Sequence, residues 1–300
     1  MNLPTDKKIW EELISSLKSE EKITSESKEN IIKELAKRTE ETILSQAKTA
    51  LTKGKIGVLF SGGVDSTLIA FILKKHNIPF KTLTIGFWDE DQKLPEDIVE
   101  SREPAKELGF DHKESILSFE DMKEIFEETV KLLGPELANA VNVGVGSVEV
   151  AGIKELLKID PEITEIFGGL GSEELFAGYK RHADASDKHE ECWTGLNSMF
   201  TRDLLRDIAI ANHLKINFYT PFLDKDLISF SMNIPIEYKI SDSMSKIIIR
   251  ESAMLLGLPE KFSFRPKRAA QYGARTDHAL AKLARQKGFK YKKDYIASLL

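Results

Sequence analysis

Apolar residues at Ile32, Leu35, Ile43, Ala47 and Leu51 share one face of a helix when wound at 3.6 residues per turn. Ser25 and Glu26 precede them as a capping hydroxyl and an acid, so one long amphipathic helix is expected up to about Gly54. The pattern then changes. Lys55 to Phe60 is a short apolar run that stops at Ser61-Gly62-Gly63, and helical spacing resumes from Thr67 to Lys75. Phe80 to Phe87 is β-branched and aromatic, as a central strand should be, and Ile98 to Leu108 reads as a charged helix. A short strand around Ile116, a helix from Asp121 to Leu133 and a strand from Ile163 to Phe167 continue the alternation. The last strand runs into Gly168-Gly169-Leu170-Gly171 and a helix opened by Ser172-Glu173-Glu174.

Strands alternating with helices predict an α/β fold built on a doubly wound parallel sheet. From about Thr194 the chain turns to helical segments punctuated by Pro221, Pro235, Pro259 and Pro266, with little strand signal, and predicts a C-terminal helical lobe. The organisation expected is an N-terminal helical segment over 1–53, a nucleotide-binding α/β core over 54–190 and a helical part over 191–300.

Composition narrows the function classes. A chain of 300 residues, 41% hydrophobic, buries a sizeable core, and a formal charge of −5 argues against a nucleic-acid footprint. The single cysteine, Cys192, excludes an internal disulfide, and the six histidines lack zinc-site spacing. No apolar run approaches the ~18 residues that span a bilayer, and Met1 to Lys8 lacks the apolar core of a signal peptide. A cytoplasmic location is expected.

The strongest chemical signal is Phe60-Ser61-Gly62-Gly63-Val64-Asp65-Ser66 between a buried strand and a helix. Small residues let backbone N–H groups approach a phosphate, the helix N-terminus adds partial positive charge, and the Ser61 and Ser66 hydroxyls can donate. A carboxylate beside an anion makes sense if Asp65 holds Mg2+. The bland alternative is an ordinary strand-to-helix turn. A Walker A loop is excluded, because no Gly-Lys-Ser/Thr follows. The second glycine loop brings Glu173 to the end of another strand, where two acids from adjacent parallel strands would converge; acids also simply favour helix starts.

The first loop resembles the PP-loop of the ATP pyrophosphatases. Gly168 to Tyr179, with Thr84-Ile85-Gly86-Phe87, Arg202 to Arg206, Pro221-Phe222-Leu223-Asp224 and Lys246 with Arg250-Glu251, is similar to the synthetase domain of asparagine synthetases, over roughly residues 50–275. That resemblance implies ATP and Mg2+ as cofactors. Phe60, Ile85, Gly168 and Gly169 would line adenosine, and Ser61, Gly62, Gly63, Asp65 and Ser66 would hold pyrophosphate. Asp65 and Glu173 would bind the metal, and Lys246 would reach the phosphates as a mobile cation or else be a solvated lysine on a helix. Asp65, Glu173 and Lys246 are then the catalytic set. The implied partners are small-molecule carboxylate and amine substrates, without nucleic acid or membrane.

Departures from the family pattern are as informative. Position 2 is Asn2 rather than the nucleophilic cysteine of a glutaminase domain, so nitrogen is expected from free ammonia or a separate amidotransferase. Leu170 replaces the acid of the second loop, and Asn217-Phe218-Tyr219-Thr220 stands where the family has a basic residue just before Pro221. The glycine-loop variant, the extension through His182, and Arg265 to Gly273 are similar to a stand-alone branch of asparagine-synthetase-like proteins. There Lys267, Arg268 and Gln271 form either a lid or a solvated basic turn, and His182 either handles protons or is structural. The expected function is an AMP-forming ligase that adenylates a carboxylate, aspartate by default. The alternatives are a PP-loop enzyme adenylating tRNA and a nucleotide-binding regulator without catalysis.

Overall fold

The computed structural model describes residues 6–88, 93–265 and 270–300. The N-terminal reading needs correction, because two helices stand where one was expected. Lys7–Ser19 buries Trp10, Ile14 and Leu17, and Trp10 Nε1 donates to the Leu196 carbonyl at 2.9 Å. The second helix, Lys28–Leu51, is capped by Ser27, whose hydroxyl accepts from the Asn30 amide, rather than by Ser25. A cap must sit immediately before the first helical residue, and Ser27 holds that position.

Five strands form one parallel sheet: β1 (Ile56–Leu59), β2 (Phe80–Phe87), β3 (His112–Leu117), β4 (Glu165–Phe167) and β5 (Asn217–Tyr219), in the order β3-β2-β1-β4-β5. β5 is a second correction, since the region from Thr194 onward was expected to be helical. Its three residues pair with β4 just ahead of Pro221, too short a run to show a period-2 pattern.

Helices cover both faces of the sheet. A Cβ on Gly86 would lie 2.6 Å from Pro95 and Ile98, at the start of the Glu96–Glu107 helix. On the opposite face, a Cβ on Gly152 would lie 2.8 Å from Leu59 and 3.5 Å from Ile85, so glycine lets the Ala140–Ile159 helix settle against β1 and β2. That 20-residue helix was not anticipated, because its Val- and Gly-rich first half lacks a helical period.

β1 is the topological centre. The chain leaves it for β2 and β3 on one side and returns to β4 on the other. Parallel sheets of this kind open a crevice at the carboxyl ends of the strands where the order reverses. Here that point lies between β1 and β4, and both glycine loops leave the sheet there. No helix among the described residues is long and apolar enough to cross a membrane.

Candidate active site

The first loop follows β1. Gly62 has φ +71° and its missing Cβ would lie 2.6 Å from the Glu100 carbonyl oxygen, so only glycine fits. Ser66 Oγ lies 3.3 Å from Ser61 Oγ and accepts from the Ser61 amide at 3.3 Å. The Val64–Lys75 helix begins at Gly63, which has no side chain to cap the first-turn amides, and Asp65 sits in that turn, 6% exposed. A helix N-terminus of this kind is suited to an anion.

The second loop follows β4 and packs onto the first. A Cβ on Gly169 would sit 2.8 Å from Asp65 Cβ. Gly171, at φ +96°, turns the chain into the Ser172–Leu175 helix. Ser172 Oγ then donates to Asp65 Oδ1 at 2.5 Å. Lys246 enters from the N-terminus of the Ile247–Leu255 helix. Its Nζ lies 2.8 Å from Asp65 Oδ2, 2.7 Å from Glu173 Oε1 and 2.8 Å from Ser172 Oγ.

The three acids and bases read as catalytic from sequence thus meet at one point, and Lys246 is not a solvated lysine. It is 4% exposed and held by two carboxylates. Burial depresses its pKa, the flanking Asp65 and Glu173 more than offset that, and the net shift is upward, so it stays an ammonium. Two residues of this centre were missed in the sequence. Ser172 links Asp65 to Lys246, and a Cβ on Gly178 would lie 1.7 Å from Glu173 Oε2 and 2.4 Å from Lys246 Cε. Only glycine leaves room for both side chains.

The same geometry tests the fit of Mg2+. Among the described residues, no three His, Cys, Asp or Glu side chains cluster as a metal site. Mg2+ is ordinarily held by one or two carboxylates together with substrate phosphates, and Asp65 and Glu173 converge on a position that already accepts a cationic group. The donor set fits.

The residues expected around adenosine divide. Gly168 borders open space, with nothing within 4 Å of a built Cβ, and its amide donates to the Tyr219 carbonyl at 3.0 Å. Phe60 instead turns its side chain into a cluster with Ala70, Ala105 and Phe110, and the buried Ile85 packs toward Gly152. Leu170 packs against the hydrophobic core. Of the expected lid, Lys267 and Arg268 lie outside the described residues, while Gln271 packs 3.5 Å from the position of a Cβ on Gly144.

Beside the centre lies a second buried polar group. Glu174 is 1% exposed, its Oε1 accepts from Arg181 at 3.2 Å and from Arg202, and burial pushes its carboxyl up to about 7. His182 Nδ1 accepts from the Tyr179 amide at 3.1 Å, and burial lowers the imidazole to about 4. A surface groove of about 870 Å3, lined by residues such as Lys22, Arg38 and Phe230, shares no residue with either group.

The asparagine synthase family model matches residues 35–193 and 183–294, spanning both glycine loops and Lys246. The chain belongs to the asparagine synthase family. A Methanocaldococcus jannaschii protein, named provisionally as a glutamine-hydrolyzing asparagine synthetase, is 26% identical over 279 residues, covering 80% of this chain and 49% of that protein. The glutamine-hydrolyzing asparagine synthetase of Gallus gallus is 29% identical over 238 residues, covering 75% of this chain and 41% of the relative. The chain therefore spans about half the length of these family members. Among solved structures, the NMN synthetase of Francisella tularensis superposes over 88% of this chain and 96% of its own at 12% identity, with a TM-score of 0.35, too slight a likeness to bear on function.

Proposed function

We propose that this chain is an ATP-dependent carbon–nitrogen ligase that forms AMP and pyrophosphate. A substrate carboxylate, aspartate in the first instance, attacks the α-phosphorus of ATP, and pyrophosphate leaves. Ammonia or another amine then attacks the acyl carbon of the adenylate, and AMP leaves. The observation that carries this reading is the convergence of Asp65, Ser172, Glu173 and Lys246 from two glycine loops at the β1–β4 crevice.

The first-loop amides, with the Ser61 and Ser66 hydroxyls, bind the β- and γ-phosphates at the helix N-terminus. Asp65 and Glu173 would hold Mg2+, which when bound neutralises charge on the pyrophosphate. Lys246, released from one of its carboxylates, donates to a phosphate oxygen and stabilises the charge that grows as pyrophosphate departs. Gly168, which borders open space, leaves room for the nucleotide, and Gly169 lets the second loop close on Asp65. Nitrogen is supplied as free ammonia or by a separate amidotransferase, and the enzyme works in the cytoplasm.

Pyrophosphate and AMP release from Mg-ATP, screened over aspartate and other carboxylic acids with ammonia, tests the reading against an Asp65→Ala control. Release that depends on one acid, and that falls by about 100-fold or more in the control, is the expected result. ADP and phosphate as products would refute it. Leu170, which offers no proton acceptor in the second loop, favours a second reading as a nucleotide-binding regulator. Tight ATP binding without pyrophosphate release under any acid would select that reading.

A further inference from the structure

Arg250 is a buried guanidinium with no carboxylate within ion-pair distance among the described residues. It is 8% exposed, and its hydrogen bonds among the described residues all go to backbone carbonyls: Nε donates to Ser245 at 3.0 Å, and Nη1 donates to Ser263 at 2.6 Å and to Arg265 at 3.1 Å. A buried charge bonded only to main chain is costly to keep. What it fixes is therefore informative.

Ser245 immediately precedes Lys246, whose backbone is left-handed at φ +60°, a conformation a residue with a Cβ adopts only when its surroundings impose it. Two bonds impose it here. The Lys246 amide donates to the Phe176 carbonyl at 3.2 Å, and Arg250 holds the Ser245 carbonyl on the other side. Phe176 directly follows the helix that bears Glu173, so the first bond refers Lys246 to the second loop, while the Arg250 bond ties the residue before it to its own helix. The remaining two bonds of Arg250 reach the segment before Pro266. There Arg265 pairs with Glu100 at 3.1 Å and Glu103 at 3.0 Å, and the Glu100 carbonyl lies under Gly62 of the first loop.

We propose that Arg250 is a positioning residue that holds the left-handed turn at Lys246, presents its ammonium to Asp65 and Glu173, and ties that turn to the packing beneath the first loop. Lysine cannot replace it. An ammonium carries the same charge but lacks the planar fork that reaches Ser245 and Ser263 together. The inference rests on the reading that Lys246 meets nucleotide phosphates.

A double-mutant cycle on nucleotide affinity tests it without turnover, using α,β-methylene-ATP with Mg2+ and isothermal titration calorimetry on the full chain. Arg250→Lys and Lys246→Ala should each weaken binding by roughly tenfold, and the double variant should bind within about threefold of Lys246→Ala alone, because Arg250 acts through Lys246. Additive losses would overturn the proposal and make Arg250 an independent phosphate contact or a general structural support. Unchanged affinity in Arg250→Lys overturns it as well. Should Arg250→Lys fail to fold, Arg250→Gln, which keeps two N–H donors without the charge, takes its place in the same cycle. Failure of the wild-type chain to bind the nucleotide would instead refute the ligase reading.

Discussion

Two lysines a few residues apart are both buried, and their surroundings could hardly differ more. Lys246 is held by Asp65, Glu173 and Ser172, each within 2.8 Å, and its pKa is raised. Lys239 is fully buried with Met232 Sδ at 3.9 Å as its contact, and burial lowers its ammonium to about 8, with Cys192 and Glu21 only partly opposing the shift. Burial alone therefore does not make a charge useful. An ammonium satisfied by carboxylates is held in place for use, whereas one whose acceptor among the described residues is a thioether is a weak point in the stability of the chain.

Three substitutions break or sharpen this contrast. Replacing Lys246 by Met leaves two carboxylates facing each other without a cation, and should lower stability by about 3 kcal/mol. Denaturant unfolding at pH 7 measures it, and no loss would mean that Asp65 and Glu173 are tolerated without their partner. Lys239→Met should act with the opposite sign, raising stability by about 2 kcal/mol.

The pH dependence identifies the cause of the Lys239 effect. With the folded pKa depressed to about 8, the unfolded chain binds more protons between pH 8 and the ordinary lysine value of about 10.4. Wild-type stability gains from this group as pH rises through that window. The advantage of Lys239→Met is therefore complete below pH 8 and shrinks toward pH 10. A gap that stays constant with pH would assign the effect to packing instead.

Gly178→Ala should have the smallest effect on stability, about 1 kcal/mol, because the atoms in its way are the ends of flexible side chains, Glu173 Oε2 and Lys246 Cε. Its effect on pyrophosphate release should be much larger, a loss of about 100-fold, since those two side chains must move apart. Equal losses in stability and rate would show that the spacing of the pair does not matter.

How much of this was legible in the sequence depends on where each signal resides. β2 was read with both ends correct, because Phe80 to Phe87 is rich in β-branched and aromatic residues. The two glycine loops were read because their residues serve local backbone geometry. β5 and the Ala140–Ile159 helix escaped notice for a different reason. Three residues carry no period, and valines between glycines favour no particular element until the helix finds its place against Leu59 and Ile85. The Lys7–Ser19 helix, by contrast, did carry a signal in Trp10, Ile14 and Leu17. The roles of Ser172, Gly178 and Arg250 exist only once distant segments meet, and no local pattern announces them.

The left-handed backbone of Lys246 sets two demands against each other. Main-chain geometry there favours glycine, while the chemistry requires an ammonium on a long stem. Glycine would relax the backbone but leave Asp65 and Glu173 facing each other without a cation, so the strain of the turn is offset by the same two carboxylates that hold the ammonium.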